Sequence, residues 1–196
     1  KNNLKKSNKK SDYFEILSVG RLIRRKGFDL LINAFYKVNQ SHKNAKLTII
    51  GDGPEYDNIK TLIKNYDLED NIKILKNVTD KQLNNFYCSS DLFILANYML
   101  KNGDCEGAPN VIVEAASFGL PVIAGTEGGT SNVVEDNITG ILLNPKDTIN
   151  FSNTINKLID DEKKLIKMGE EGILKVHNCH SKEIAGKIFR ECIINL

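Results

Sequence analysis

The chain has 196 residues, 41% hydrophobic and 27% charged, with a formal net charge of +2. That composition fits one large or two small soluble globular domains, and the near-neutral balance argues against recruitment of nucleic acid or membrane by bulk charge. No stretch approaches the length of a transmembrane helix.

The order of elements begins with residues 1–12, where Lys1, Lys5, Lys6, Lys9 and Lys10 stand among Asn and Ser. This run cannot bury apolar surface and reads as a disordered linker, without the apolar core of a signal peptide. Residues 13–196 read as one α/β domain. Strand one is predicted over 14–19 and ends at Gly20. Helical spacing from 28 to 38 places Phe28, Leu31, Ile32, Phe35 and Val38 on one side. Strand two covers 46–50 and ends at Gly51-Asp52-Gly53-Pro54. The next helix turns Ile59, Leu62, Ile63 and Tyr66 inward. Strand three, 71–75, is followed by Asn77-Val78. Thr79 and Gln82 form a capping-box pattern that opens a helix. Strand four is 91–96. A helix apolar almost all round starts at Asn110 and ends by Gly119. Strand five is 121–124, Ser131 starts a short helix, and strand six is 140–143. Helical patterns over 148–160, 161–176 and 181–194 close the chain.

Repeated strand–helix alternation with nearly continuous apolar strands implies a doubly wound, Rossmann-like parallel sheet of about six strands. Ligands in such sheets sit at the carboxyl ends of the strands, so the residues after each strand matter most. The first such loop, Gly20-Arg21-Leu22-Ile23-Arg24-Arg25-Lys26-Gly27, carries cations where a dinucleotide fold would carry three glycines. Arg21 and Lys26 are within reach of the cleft and suit a diphosphate, one as a planar fork and one as a point charge. Arg24 and Arg25 read as a solvated face. The Gly51–Pro54 run is a turn.

The stretch 104–115 holds Glu106 in a loop and Glu114 in a helix. Gly107 and Pro109 suit a tight, solvent-poor turn. The amide groups opening the helix, with Ala108, Asn110 and Val111 around them, form a ready phosphate site. Flanking acids would accept hydrogen bonds from ribose or sugar hydroxyls, or else be ordinary surface glutamates beside a core helix. Gly128-Gly129 either cradles a phosphate or sugar with backbone N–H groups or makes a plain turn. Glu135 reads at least as well as structural. Cys88, Cys105, Cys179 and Cys192 lack paired spacing and read as free thiols in a reducing compartment. His42, His177 and His180 complete no metal site.

The ordered set Gly20-Arg21, Lys26-Gly27, Gly51–Pro54, Glu106-Gly107 with Glu114-Ala115, Gly119 with Pro121, Gly128-Gly129 and Glu135 with Thr139-Gly140 resembles the C-terminal half of a retaining family 4 glycosyltransferase of GT-B fold. The seven residues between Glu106 and Glu114 match the paired-glutamate pattern of that family. The resemblance implies that Arg21 and Lys26 hold the diphosphate of a nucleotide sugar, Glu114 the ribose hydroxyls, Glu106 the transferred sugar, and Asn77 and Val78 the base. It implies an N-terminal acceptor domain outside this chain, and a saccharide or lipid-linked acceptor. It implies no cofactor and no metal, and a cytoplasmic location, free or at the inner face of a membrane. The segment 101–106 is similar to a subgroup that builds exopolysaccharide or lipopolysaccharide. Ala108 and Ser131 depart from the commonest residues at their positions. Two other readings remain: a GT-B-like sugar-nucleotide epimerase or phosphorylase, and a non-catalytic nucleotide-binding module.

Overall fold

The computed structural model describes residues 12–179. Its strands and helices alternate in the expected sequence: β1 (Phe14–Val19), α1 (Phe28–Ser41), β2 (Ala45–Ile50), α2 (Tyr56–Asn65), β3 (Ile72–Leu75), α3 (Asp80–Ser89), β4 (Leu92–Leu95), α4 (Asn110–Ser117), β5 (Val122–Gly125), β6 (Gly140–Leu143), α5 (Thr148–Ile159) and α6 (Glu162–Cys179). All six strands are parallel, in the order β3-β2-β1-β4-β5-β6. The order reverses between β1 and β4, which makes their carboxyl ends the switch point where such sheets bind ligands.

Period-two alternation along the strands feeds two cores. On one face Ile16, Leu47, Ile49, Ile94 and Ile123 pack with α1, α2 and α5. On the other, Leu17, Val19, Phe93, Leu95 and Val122 pack with α3 and α4. Burial on both faces explains why the strands read as continuous apolar runs. In α1 the residues expected inward, Phe28, Leu31, Ile32, Phe35 and Val38, are all buried. Ile59 and Ile63 of α2 are buried, whereas Leu62 and Tyr66 are only half-buried against the same core. The capping box of α3 is present: the Gln82 amide donates to Thr79 Oγ1 and the Thr79 amide to Gln82 Oε1 at 3.0 Å.

Two readings are corrected here. The helix α4 is not apolar all round. Ile112, Ala115 and Ala116 are buried, Val111 and Val113 are half-buried, and Asn110, Glu114 and Ser117 are exposed. It packs on the sheet and α6, with Tyr87 of α3 against its other side, and part of its circumference stays open. Ser131 does not start a helix. A single 3-10 turn runs from Gly129 to Asn132, and Glu135 falls beyond it. There the Glu135 amide donates to Thr139 Oγ1 and its carboxylate faces Lys175 at 3.7 Å, a structural role. Residues 1–11, the helical pattern 181–194, His180 and Cys192 lie outside the described residues. Cys88, Cys105 and Cys179 are free thiols.

Asn97, two residues past the end of β4, is fully buried. Its Nδ2 donates to the Glu127 carbonyl at 3.1 Å and to Thr130 Oγ1 at 2.9 Å, and its Oδ1 accepts from the Gly125 amide at 3.2 Å. Gly125 has no room for a side chain, because a Cβ would meet the Asn97 carbonyl oxygen at 1.7 Å. One amide side chain therefore ties the end of β4 to the loop after β5. The Asn97→Ala variant is expected to lose about 2–3 kcal/mol of stability, since buried donors and acceptors are left unmet. Urea unfolding checks this as a lower midpoint with unchanged slope.

Candidate donor-binding site

Three loops meet at the switch point, and glycines let them approach. The loop after β1 closes with a 3-10 turn, Arg24–Lys26, capped by Gly27 in the left-handed region at φ 66°. A Cβ on Gly27 would strike the Ala96 carbonyl oxygen at 1.9 Å. The Tyr98 amide donates to the Arg25 carbonyl at 3.0 Å. This loop is thus pinned to the end of β4. The loop after β5 reaches the segment before α4 in the same manner. Gly128, at φ 83°, would place a Cβ 2.2 Å from the Glu106 carbonyl oxygen, and the Gly129 amide donates to that oxygen at 2.9 Å. The Gly128-Gly129 pair therefore seats Glu106-Gly107 by close backbone packing.

The charged groups follow from that assembly. Lys26 Nζ donates to Glu106 Oε2 at 2.8 Å, and Arg25 Nε to Glu106 Oε1 at 2.8 Å. Arg25 Nη1 donates to Asp104 Oδ2 at 2.9 Å. The Lys26 and Glu106 side chains are only 11% and 10% exposed. Burial alone would push the Glu106 carboxyl up. The hydrogen bonds and charges of Lys26 and Arg25 outweigh burial and hold it below the usual carboxylate range. The bond from Glu106 likewise raises Arg25, which stays charged.

Arg25 is the main correction at the site. It is no solvated loop residue but a clamp on two carboxylates. Arg24 does fit the solvated reading, with a side chain 76% exposed and 3.7 Å from Glu55. Arg21 is exposed at the mouth of β1 and, among the described residues, makes no ion pair. Gly20 lies under the Lys26 stem, where a Cβ would sit 3.5 Å from Lys26 Cε. The turn before α4 is not solvent-poor: Gly107 and Ala108 are exposed and only Pro109 is buried. Pro109 is the N-cap of α4 and no side chain caps the helix. The first-turn amides around Asn110 and Val111 are thus available to an anion, which the helix dipole favours.

Glu114 lies on the α3 side of α4, where Tyr87 of α3 donates its hydroxyl to Glu114 Oε2 at 3.0 Å. Asn77, left-handed at φ 54°, and half-buried Val78 follow β3. They share the sheet edge with Gly20, two strand spacings or about 10 Å away, and Val78 packs into the core that holds Tyr87. Lys76 beside them pairs with Asp52 at 2.8 Å and lies 3.4 Å over the Tyr56 ring. A cavity of about 750 Å³ opens beside this cluster toward α1 and α2, lined by Ile23, Arg24, Phe28, Ile59 and Tyr98 among others. None of the expected site residues lines it, so the charged edge and not this cavity is the candidate site. Among the residues whose roles the sequence does not show are Asn97 and Arg25. Their only signal was position: one just after a strand end, the other one residue from Lys26.

Comparison with known proteins identifies the family. The profile of the family described as Glycosyl transferases group 1 matches residues 1–175. The amylovoran biosynthesis glycosyltransferase AmsK of Erwinia amylovora is 29% identical over 92% of this chain and 44% of its own length. A GDP-mannose-dependent monoacylated alpha-(1-6)-phosphatidylinositol monomannoside mannosyltransferase of Corynebacterium glutamicum is 33% identical over 85% of this chain and 43% of its own. The chain thus spans less than half the length of these relatives. Among solved structures, HepE of Anabaena in complex with UDP superposes with a TM-score of 0.82 at 25% identity, covering 94% of this chain and 49% of that one. The C-terminal domain of the group 1 protein LpcC from Francisella tularensis shares the fold, with a TM-score of 0.76 at 20% identity, covering 86% of this chain and 87% of that one. With the parallel sheet, its switch-point cluster and a profile match along most of its length, the chain belongs to the group 1 glycosyltransferase family.

Proposed function

We propose that this chain is the donor-binding, C-terminal domain of a retaining family 4 glycosyltransferase. It takes a UDP- or GDP-linked sugar and passes the sugar to a saccharide or lipid-linked acceptor in surface polysaccharide synthesis. The observation that carries the reading is the convergence of Arg21, Lys26, the uncapped start of α4, Glu106 and Glu114 at one sheet edge. The relatives support the class of donor but divide on the nucleoside, since one is named as GDP-mannose-dependent and one was solved with UDP.

Cleavage of the sugar–phosphate bond leaves negative charge on the departing diphosphate. Arg21, Lys26 and the amides opening α4, near Ala108 and Asn110, face that charge. Preorganised donors of this kind contribute about 2.7–4 kcal/mol each to lowering a barrier. Side chains and a helix end then do the neutralising, and a divalent metal is not required. Glu106 is the residue for the sugar hydroxyls. Two cations on its oxygens weaken it as a nucleophile, which favours hydrogen bonding over a covalent role. Asn77 and Val78 take the base and Glu114 the ribose. The acceptor half belongs to the portion of the relatives that this chain does not span. On this reading, which rests on the family resemblance alone, the reaction takes place in the cytoplasm, free or at the inner membrane face.

The Glu114→Gln variant keeps shape but loses a charged acceptor. It is expected to weaken nucleoside diphosphate binding by about 1.5–3 kcal/mol, and unchanged affinity in calorimetry would rule out the ribose role. The same titration in EDTA is expected to give the same affinity; a strict need for magnesium or manganese would refute the metal-free reading. The chain alone is expected to bind donor and transfer almost no sugar, because aligning two reactants is worth about 7–11 kcal/mol and the acceptor side lies elsewhere. Arg21→Ala and Lys26→Ala should weaken binding, most at low salt. Transfer of labelled sugar by this chain at ordinary enzymatic rates, about 1–10³ s⁻¹, would overturn this division of labour.

A further inference from the structure

The hydroxyl of Tyr87 has an unusual assignment. Tyr87 is 1% exposed, yet its partner Glu114 is an exposed residue of a neighbouring helix. The Tyr87 ring is stacked on Phe118, with centroids 5.3 Å apart and planes at 15°, and tilted on Phe93 of β4 at 6.2 Å. Glu114 of α4 and Phe118, the residue that caps its C-terminus, are four residues apart and lie one above the other, the Phe118 amide donating to the Glu114 carbonyl at 3.3 Å. One immobile side chain thus grips the same helical stripe twice, by its ring and by its hydroxyl. An exposed glutamate on a helix ordinarily samples several rotamers. Here one carboxylate oxygen is tied to a ring that cannot move without disturbing the core.

We infer that Tyr87 is a positioning residue: it fixes Glu114 through Oε2 so that Oε1 is presented to the ribose diol of a nucleoside diphosphate. The inference rests on the reading of Glu114 given above. The direction of the bond is settled by chemistry. Burial, and then the nearby Glu114 charge, push the Tyr87 phenol well above its ordinary acidity range, so it donates throughout the working pH range. An ionised carboxylate only accepts, which leaves Oε1 as the acceptor for ligand hydroxyls. A purely structural tyrosine would need its hydroxyl met by any acceptor. Such a role would not alter which nucleotide sugar ring is preferred.

The test is therefore ribose preference. Calorimetry is run with UDP, GDP, their 2′,3′-dideoxy counterparts and inorganic pyrophosphate on the wild-type chain, Tyr87→Phe and Glu114→Gln. Wild type is expected to favour a ribonucleotide over its dideoxy form by about tenfold or more, the scale of one charged hydrogen bond. Tyr87→Phe keeps the packed ring. It is expected to cut that preference to about threefold or less, with pyrophosphate affinity and thermal midpoint nearly unchanged. Adding Tyr87→Phe to Glu114→Gln is expected to cost nothing further, because the two act through one contact. If Tyr87→Phe weakens ribo and dideoxy forms equally, or keeps the preference that Glu114→Gln abolishes, Tyr87 only packs and the inference falls while the Glu114 reading stands. If wild type shows no ribose preference, or binds neither nucleotide, the Glu114 reading itself falls and takes the inference with it.

Discussion

The Glu106 carboxylate, held by Lys26 on one oxygen and Arg25 on the other, is the contact on which the arrangement of the edge depends. Arg25 and Lys26 are adjacent in the chain and would repel if left together. One shared anion, with Asp104 on the far side of Arg25, turns that repulsion into a bridge between the loop after β1 and the segment before α4. The pair is largely shielded from solvent, so screening is weak, and breaking it by removing one partner would strand a buried charge. The backbone of the same residue holds the third loop, through the Gly129 amide on the Glu106 carbonyl. Side chain and main chain of one position therefore fix three loops at once.

That bridge works only because the sheet delivers its ends to the right place. Double-sided burial fixes the strand register, and a slip of one residue would exchange the two faces of a strand. The approach of the loops is then limited by backbone contact rather than by side chains. At Gly27, Gly125 and Gly128 a methyl group would overlap a carbonyl oxygen. These glycines are demanded by proximity, and at Gly27 and Gly128 also by a left-handed backbone. Gly107 is different: a Cβ there would meet nothing within 4 Å, so packing does not require glycine at that point of the site.

Much of this was legible in the residues. The strands could be placed because apolar runs such as 47–50 and 92–95 end at turn residues, and the Thr79–Gln82 box marks a helix start by chemistry that is purely local. The face of a short turn is not local information. In a 3-10 turn successive side chains point about 120° apart, so three adjacent cations must diverge. Which two point inward depends on Asp104 and Glu106, some 80 residues later in the chain. The excess of apolar residues in α4 had a similar limit. Val111 and Val113 would be core in a helix covered on all sides, but this one packs on the sheet, on α6 and on Tyr87 of α3 and still leaves both valines half-buried. Asn97 gave no pattern at all, because a single amide acquires its role only when two strand ends meet.

The open side of α4 is what divides the site into two parts with different mechanical support. The end proposed for the diphosphate rests on loops, and those loops are held by charge. The end proposed for the ribose rests on Glu114, and Glu114 is held by an aromatic residue of the core between α3, α4 and β4. Charge contacts of the first kind can exchange partners when a competing anion arrives, at a cost set by how well that anion replaces Glu106. A contact of the second kind cannot exchange, because Tyr87 is locked by Phe93 and Phe118. An edge built this way can adjust around a group whose charge changes during reaction while keeping a rigid grip on the part that does not change. If the site takes a nucleotide sugar as proposed, the nucleoside would be that unchanging part and the sugar-linked diphosphate the part that changes.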